Sequence, residues 1–349
     1  MKTVLVCSVQ TPFITGGSEF LVQELCANLA RRGFRVDVAN VPFRACPPSE
    51  IVRQALAWRL IDVTESNGEK VDLVIPTKFP SYVGDHPCKV TWLFHQHREA
   101  YDLFGTDYCS FTDSPDHRQV REAIRTLDET SLAECRRIFS ISRNVADRLS
   151  RYNHLEATPL YPPPHHRSRY RCDGYGDFLL YAGRLELTKR PSLMIDALAR
   201  TRGGARLKIA GAGSLEDQLR RQIERLGVGD RVELLGFVSD EDLFDLYGRC
   251  RAALYVPLDE DYGYVTLEAF RSGKPVITTD DSGGVLEFVT DGKTGFVAAK
   301  ASAKEMARAI DRLHGDRELA VELGRAGKER VAPIGWDDVV DKLTGGLRR

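Results

Sequence analysis

The chain has 349 residues, 42% of them hydrophobic, and sets 49 Lys and Arg against 50 Asp and Glu, for a formal net charge of -1 at pH 7. That length allows two domains of roughly 150 residues, each able to bury its own core. The balanced charge supplies no global positive field for nucleic acid, and the eight cysteines form no CxxC pair or disulfide-rich module, so reduced thiols of a cytosolic protein are expected.

The opening MKTVLVCSV reads as a strand rather than a signal peptide, because its apolar run is short and leads into Pro12 and two glycines. No run approaches the ~20 apolar residues needed to cross a bilayer. Gly16 and Gly17 end the loop after this strand, where glycine lets backbone approach a phosphate, and Ser18 is placed to cap a helix with an apolar face of Phe20, Leu21, Leu25 and Leu29. GGSE lacks the GxGxxG register, and Val41 and Pro42 stand where a dinucleotide fold needs its acidic residue, which argues against a dehydrogenase. Further first-half strands are expected over residues 36–41, 73–75, 90–94 and 138–142. His95 and His97 close the third of these; strand alternation turns them to opposite faces and argues against a zinc pair. Residues 159–177 are rich in Pro, Gly and charge and are expected to form an interdomain linker and hinge, with His165 and His166 solvated in it.

In the second half, strands are expected over residues 178–182, 206–210, 232–235, 252–256 and 276–278, alternating with helices as in a doubly wound parallel sheet. Such a sheet delivers the loop after each strand to a ligand crevice. The first carries YAGRLELTKRP, with Arg184 and Lys189. The fourth carries EDYGYVTLEAF, with Glu260 on the loop and Glu268 inside a helix over residues 265–270 whose free N–H groups form an anion site.

In this order and spacing GGSE, GRLELTKR and EDYGYVTLE, with LKIAGAGSLEDQL and SGKPVITTDDSGG, resemble the family 4 (group 1) glycosyltransferases of the GT-B fold over nearly the whole chain. One departure is Glu260, Asp261 and Tyr262 where the family usually has Glu-Gly-Phe. The resemblance implies an α/β protein of two Rossmann-like doubly wound parallel-sheet domains facing a central cleft. Residues 1–165 would bind the acceptor, with a C-terminal helix in 333–349 packing back, and residues 166–332 would bind the donor. It implies retaining transfer from a GDP- or UDP-linked sugar with no cofactor, a donor phosphate oxygen taking the acceptor's proton. No metal is expected either, since no DxD pair follows a first-half strand.

By the same resemblance, Arg184 and Lys189 hold the diphosphate, helped by the amides of Gly16 and Gly17 and, after Gly263, of Tyr264, Val265 and Thr266. Glu268 holds the ribose, Glu260 the sugar hydroxyls, and the chain at Gly236, Phe237 and Val238 brackets the base. His95 lies near the donor sugar and acceptor, or is a core histidine. His97, Arg98, Tyr101 and Arg143 are candidates for the acceptor pocket and equally for ordinary cleft residues. The acceptor is unidentified. The expected location is cytoplasmic, with first-half helices and loops open to peripheral membrane contact. A nucleotide-sugar epimerase or a non-catalytic nucleotide-sugar-binding protein are the alternatives.

Overall fold

The computed structural model describes residues 1–13 and 16–347. Ile14 and Thr15, inside the glycine loop, and Arg348 and Arg349, at the end of the expected last helix, lie outside the described residues. The chain divides into two compact units: Met1–His165 with the segment from Ile334 onward, and His166–Pro333.

Unit 1 runs β1 (Thr3–Gln10), α1 (Gly17–Arg31), β2 (Arg35–Pro42), α2 (Ser49–Leu60), β3 (Glu65–Ser66), β4 (Glu69–Lys70), β5 (Leu73–Pro76), β6 (Val90–Leu93), α3 (Pro115–Ala133), β7 (Arg137–Ser140), α4 (Arg143–Asn153) and β8 (Thr158–Pro159). Parallel ladders order these β2-β1-β5 and β6-β7-β8. The parallel bridges Val74 to Lys89 and Lys78 to His95 connect the two sets. Every residue of β5 and β6 is buried, as expected of parallel strands covered on both faces. The β3–β4 hairpin, absent from the expected elements, turns through Asn67 and Gly68, both at positive φ, a type of turn that an Asn-Gly pair favours.

Unit 2 runs β9 (Phe178–Ala182), α5 (Pro191–Leu198), β10 (Arg206–Ala210), α6 (Glu216–Leu226), β11 (Val232–Gly236), α7 (Asp240–Arg249), β12 (Ala252–Leu254), α8 (Tyr264–Arg271), β13 (Val276–Thr279), β14 (Gly295–Ala298), α9 (Ala303–Gly315) and α10 (Arg317–Val331). Its parallel sheet has the order β11-β10-β9-β12-β13-β14. The order reverses between β9 and β12, the topological switch point where connections leave in opposite directions and open a crevice at the strands' carboxyl ends. β12 is shorter than expected. Pro257 cannot donate to a ladder, and the Val256 carbonyl accepts from Arg190 Nε (2.7 Å).

The last helix, α11 (Trp336–Thr344), belongs to unit 1. Trp336 packs edge-on against Trp92 (6.0 Å), and Arg32 pairs with Asp337 and Asp341. Among the described residues no helix is long and apolar enough to cross a membrane.

Four local expectations need correction. Ser18 lies inside α1 rather than capping it: Gly16 is the N-cap and its N–H donates to Glu19 Oε2 (2.9 Å), the half of a capping box that a glycine can make. Phe20 leaves the apolar face and stacks on His165 (5.0 Å). His165 is therefore half-buried rather than solvated, and it also pairs with Glu24 (2.9 Å). The linker is anchored over its second half: Asp173 and Gly176 N–H groups donate to Gly248 and Arg249 carbonyls, and Tyr170 packs edge-on against Phe244 and Tyr247.

Candidate functional site

In unit 2 the loop leaving β9 and the loop leaving β12 meet beside the switch point, where the Leu258 N–H donates to the Thr188 carbonyl (2.7 Å). Lys189 and Glu260, which the resemblance assigns to different parts of a donor, are ion-paired here, with side chains only 17% and 19% exposed. Tyr255 braces the pair from below, its hydroxyl donating to Glu260 Oε2 (2.9 Å). Tyr181 stacks on Tyr255 (6.4 Å) and donates to the Arg184 carbonyl (2.7 Å), so buried aromatics set the floor of both loops. Arg184 itself is 60% exposed and paired with Glu186 (2.7 Å).

Behind Glu260 begins α8, capped by Gly263 in a left-handed conformation (φ 84) that glycine adopts without strain. A Cβ at Gly263 would also stand 2.8 Å from Val285. Tyr264, Val265 and Thr266 form the first turn, whose N–H groups point ahead of the helix, that of Thr266 being already bonded to the Gly263 carbonyl (3.0 Å); among the described residues the buried Thr266 hydroxyl has no hydrogen-bond partner. One turn further on, Glu268 accepts from Tyr247 (2.8 Å) and Tyr170. Burial raises its pKa above the ordinary carboxylate range, and the two phenols only partly offset this. Gly236 ends β11 at positive φ and accepts from the Gly211 N–H (2.7 Å), which leaves Phe237 88% exposed on the same edge, followed by half-buried Val238. At Gly211 a Cβ would collide with the Gly183 carbonyl at 1.9 Å, so the loops after β9 and β10 touch through bare backbone.

Arg190 has a role that its sequence position alone does not reveal. Its backbone is left-handed (φ 51), which turns its side chain away from that of Lys189. The guanidinium donates to the Val256 and Pro257 carbonyls, to Thr279 Oγ1 and to both carboxylate oxygens of Asp281 (2.7 Å each). It therefore clamps together the loops leaving β9, β12 and β13. The signal available in sequence was only a second cation beside Lys189.

In unit 1, Gly16 is extended, and among the described residues a Cβ there would meet Glu19 first, at 3.6 Å. Its N–H is committed to Glu19 rather than open to a ligand, and Gly17 is the first helical residue. Glu19 is also bonded by Ser18 and by buried Lys78 (2.8 Å each); burial would raise its pKa, but these bonds and the Lys78 charge bring it below the usual value.

β6 ends at Leu93, so His95 and His97 both lie beyond the strand and its alternation does not govern them. His95 is half-buried, with Nδ1 against the Gln96 carbonyl (3.0 Å). His97 sits among Phe43, Phe79 and Phe111, and burial lowers its pKa to about 4. Arg98 is bonded to Asp102, which also pairs with Arg148 (3.3 Å). Arg143 is exposed at the start of α4. Tyr101, a candidate for the acceptor pocket and equally for an ordinary cleft residue, is a core residue, 3% exposed, donating to Asp128 Oδ2 (2.8 Å) and accepting from Asn153 (3.1 Å).

Asp128 also accepts from Tyr82 (2.9 Å) and Gln96 (3.1 Å), so this buried network holds the turn between the two histidines. Burial pushes the Asp128 carboxyl up to about 7, and three hydrogen bonds only partly offset it. A carboxyl raised on folding takes up protons as the chain folds. Its contribution is fully present below the ordinary pKa of ~4 and is lost as pH rises through the folded value. Melting curves should accordingly show Asp128→Asn gaining on the wild type between pH 5 and pH 8. A pH-independent difference would remove that role.

Residues 166–330 match the family model described as glycosyl transferases group 1. Over 97% of this chain and 96% of the relative, the sequence is 31% identical to a glycosyltransferase of Methanocaldococcus jannaschii. The chain belongs to the group 1 glycosyltransferases. It is 36% identical over 196 residues to a GDP-mannose-dependent phosphatidylinositol monomannoside mannosyltransferase of Mycobacterium tuberculosis, a match covering 52% of this chain and about half (50%) of that relative's length. Among solved structures, sucrose-phosphate synthase from Thermosynechococcus elongatus aligns with a TM-score of 0.76 at 18% identity, over 99% of this chain and 98% of that one. Anabaena HepE, solved with UDP-glucose, aligns at 0.70 and 18%, over 98% and 99%. The fold is GT-B, built from Rossmann-like α/β domains with parallel sheets.

Proposed function

We propose that this glycosyltransferase is retaining and metal-independent, that unit 2 binds a nucleoside-diphosphate sugar with a guanine or uracil base, and that unit 1, through residues including His95, recognises the acceptor. The observation that carries this reading is the Lys189–Glu260 pair at the switch point, with the α8 N-terminus behind it. The donor names of relatives support it: GDP-mannose for the mycobacterial enzyme and UDP-glucose for the Anabaena protein.

Breaking an anomeric carbon to phosphate bond builds negative charge on the diphosphate and positive charge on the sugar. Arg184, Lys189 and the first-turn amides of α8 stabilise the former, most effectively where water is scarce. Glu260 fixes sugar hydroxyls, and Glu268, held by two phenols, accepts from the ribose. With cations already in place for the leaving group, the reaction needs no divalent ion, and a phosphate oxygen is the base for the acceptor hydroxyl.

A thermal-shift panel of nucleoside diphosphates and their sugars tests the donor assignment. The matching nucleotide at a hundredfold over its Kd should stabilise by about 2.7 kcal/mol. Glu268→Gln should diminish that shift, in EDTA as in its absence. No shift with either the GDP or the UDP series would overturn the donor assignment, and activity lost in EDTA and restored by magnesium or manganese would overturn metal independence. An inverted product anomer, read by proton NMR, would overturn retention.

A further inference from the structure

Lys274 lies in the turn between α8 and β13 and is wholly buried, an expensive place for a cation. Among the described residues no carboxylate is paired with it. Its Nζ instead meets the Gly174 carbonyl, the face of Tyr175 (4.0 Å to the ring centroid) and the sulfur of Cys172 (3.5 Å). Cys172 is exposed, and its thiol also reaches toward the Gly174 carbonyl (4.0 Å), so one carbonyl anchors both groups. All eight cysteines are free, but burial raises the thiol pKa of Cys7, Cys26, Cys109, Cys135 and Cys250. Cys46 and Cys172 are the exposed ones, and among the described residues only Cys172 has an amine against its sulfur.

We propose that Cys172 and Lys274 form an oxidation-sensitive thiol–amine pair that hydrogen peroxide closes into a covalent sulfur–nitrogen cross-link. In the first step the thiol and peroxide give the sulfenic acid and water, sulfur being oxidised and the peroxide oxygen reduced. In the second, the Lys274 nitrogen attacks that sulfur, the S–N bond forms as the S–O bond breaks, and hydroxide leaves with a lysine proton as water. The remaining ammonium proton passes to solvent. No further oxidant is required, and thiols reverse the bond. The cross-link would tie the segment carrying Tyr170 to the end of α8, the helix whose Glu268 Tyr170 bonds, so the redox state of this pair bears on the mobility of that helix.

Cys250 is the rival partner, since it lies close enough for its titration to feel the Cys172 charge. The whole protein would be treated with peroxide, unfolded, alkylated and digested for mass spectrometry. The expected product is about 2 Da lighter than the reduced chain and yields a peptide pair joined through Cys172 and Lys274, separated by dithiothreitol. Cys172→Ser, an exposed substitution that should leave the fold intact, abolishes it, as does Lys274→Arg, and Cys250→Ala retains it. A Cys172–Cys250 disulfide, a Cys172 sulfinic or sulfonic acid with Lys274 free, or an untouched Cys172 at peroxide levels that oxidise Cys46 would each overturn the proposal.

Discussion

Lys189→Ala is expected to lower kcat/KM by about a hundredfold or more, since a cation aimed at developing charge in a sheltered site contributes on this scale. The substitution also strips Glu260 of its ion-pair partner, leaving that carboxylate with Tyr255 beneath it. The melting temperature should change little by comparison, because the pair lies at the loop edge and not in the sheet. A double-mutant cycle with Glu260→Gln separates two meanings of the loss. If Lys189 acts on the donor directly, the double variant is slower than either single one; if it only positions Glu260, the double variant matches Glu260→Gln. Turnover near wild type in Lys189→Ala would remove the diphosphate role from this side chain.

Arg190→Ala should bring the largest loss of stability in unit 2 among the loop residues at this edge. It removes the guanidinium donors of the Val256 and Pro257 carbonyls and leaves the Asp281 carboxylate its bond from the Thr279 hydroxyl. Asp281 is 39% exposed, so water compensates part of the ion pair, and the carbonyls carry most of the cost. Removing one partner from such a network costs about 3 kcal/mol, and for a unit of this size that lowers the melting temperature by roughly 10 °C. Lysine should not rescue it, because a point charge cannot span several acceptors as a planar guanidinium does. Calorimetry on the two variants checks the contrast: Lys189→Ala loses turnover with stability kept, Arg190→Ala loses stability. A melting temperature unchanged in Arg190→Ala would show that the three loops hold their places without the clamp.

The alternation of apolar runs with amphipathic segments was sufficient to place β9, β10 and most of β1, β2, β5, β6 and β7; for β5, β6 and β9 this follows because strands covered on both faces are apolar almost throughout, whereas β2 has no buried residue. Motif spacing was sufficient to identify the family, since the loops after β9 and β12 are brought to one switch point by topology alone. Short elements escaped. The β3–β4 hairpin and β8 have two residues per strand and too little pattern to register, although Asn67-Gly68 was a legible turn signal.

Partnership was decided only by the tertiary structure. Lys189 and Arg190 are adjacent cations, and nothing local says that one meets Glu260 while the other clamps three loops. The left-handed backbone at Arg190 and the arrival of β12 and β13 alongside β9 make that division. Tyr101 and Phe20 took their places for a similar reason. Tyr101 is drawn into the core by Asp128, which lies on a helix beginning fourteen residues later, and Phe20 is drawn out to a histidine far along the chain. Sequence patterning determined which segments are strands, which loops carry charge and which family this is, because those follow from local periodicity and spacing. Which charge meets which partner, and which polar group is buried, depended on the neighbours that folding supplies, since burial and hydrogen bonding are properties of packed pairs and not of residues.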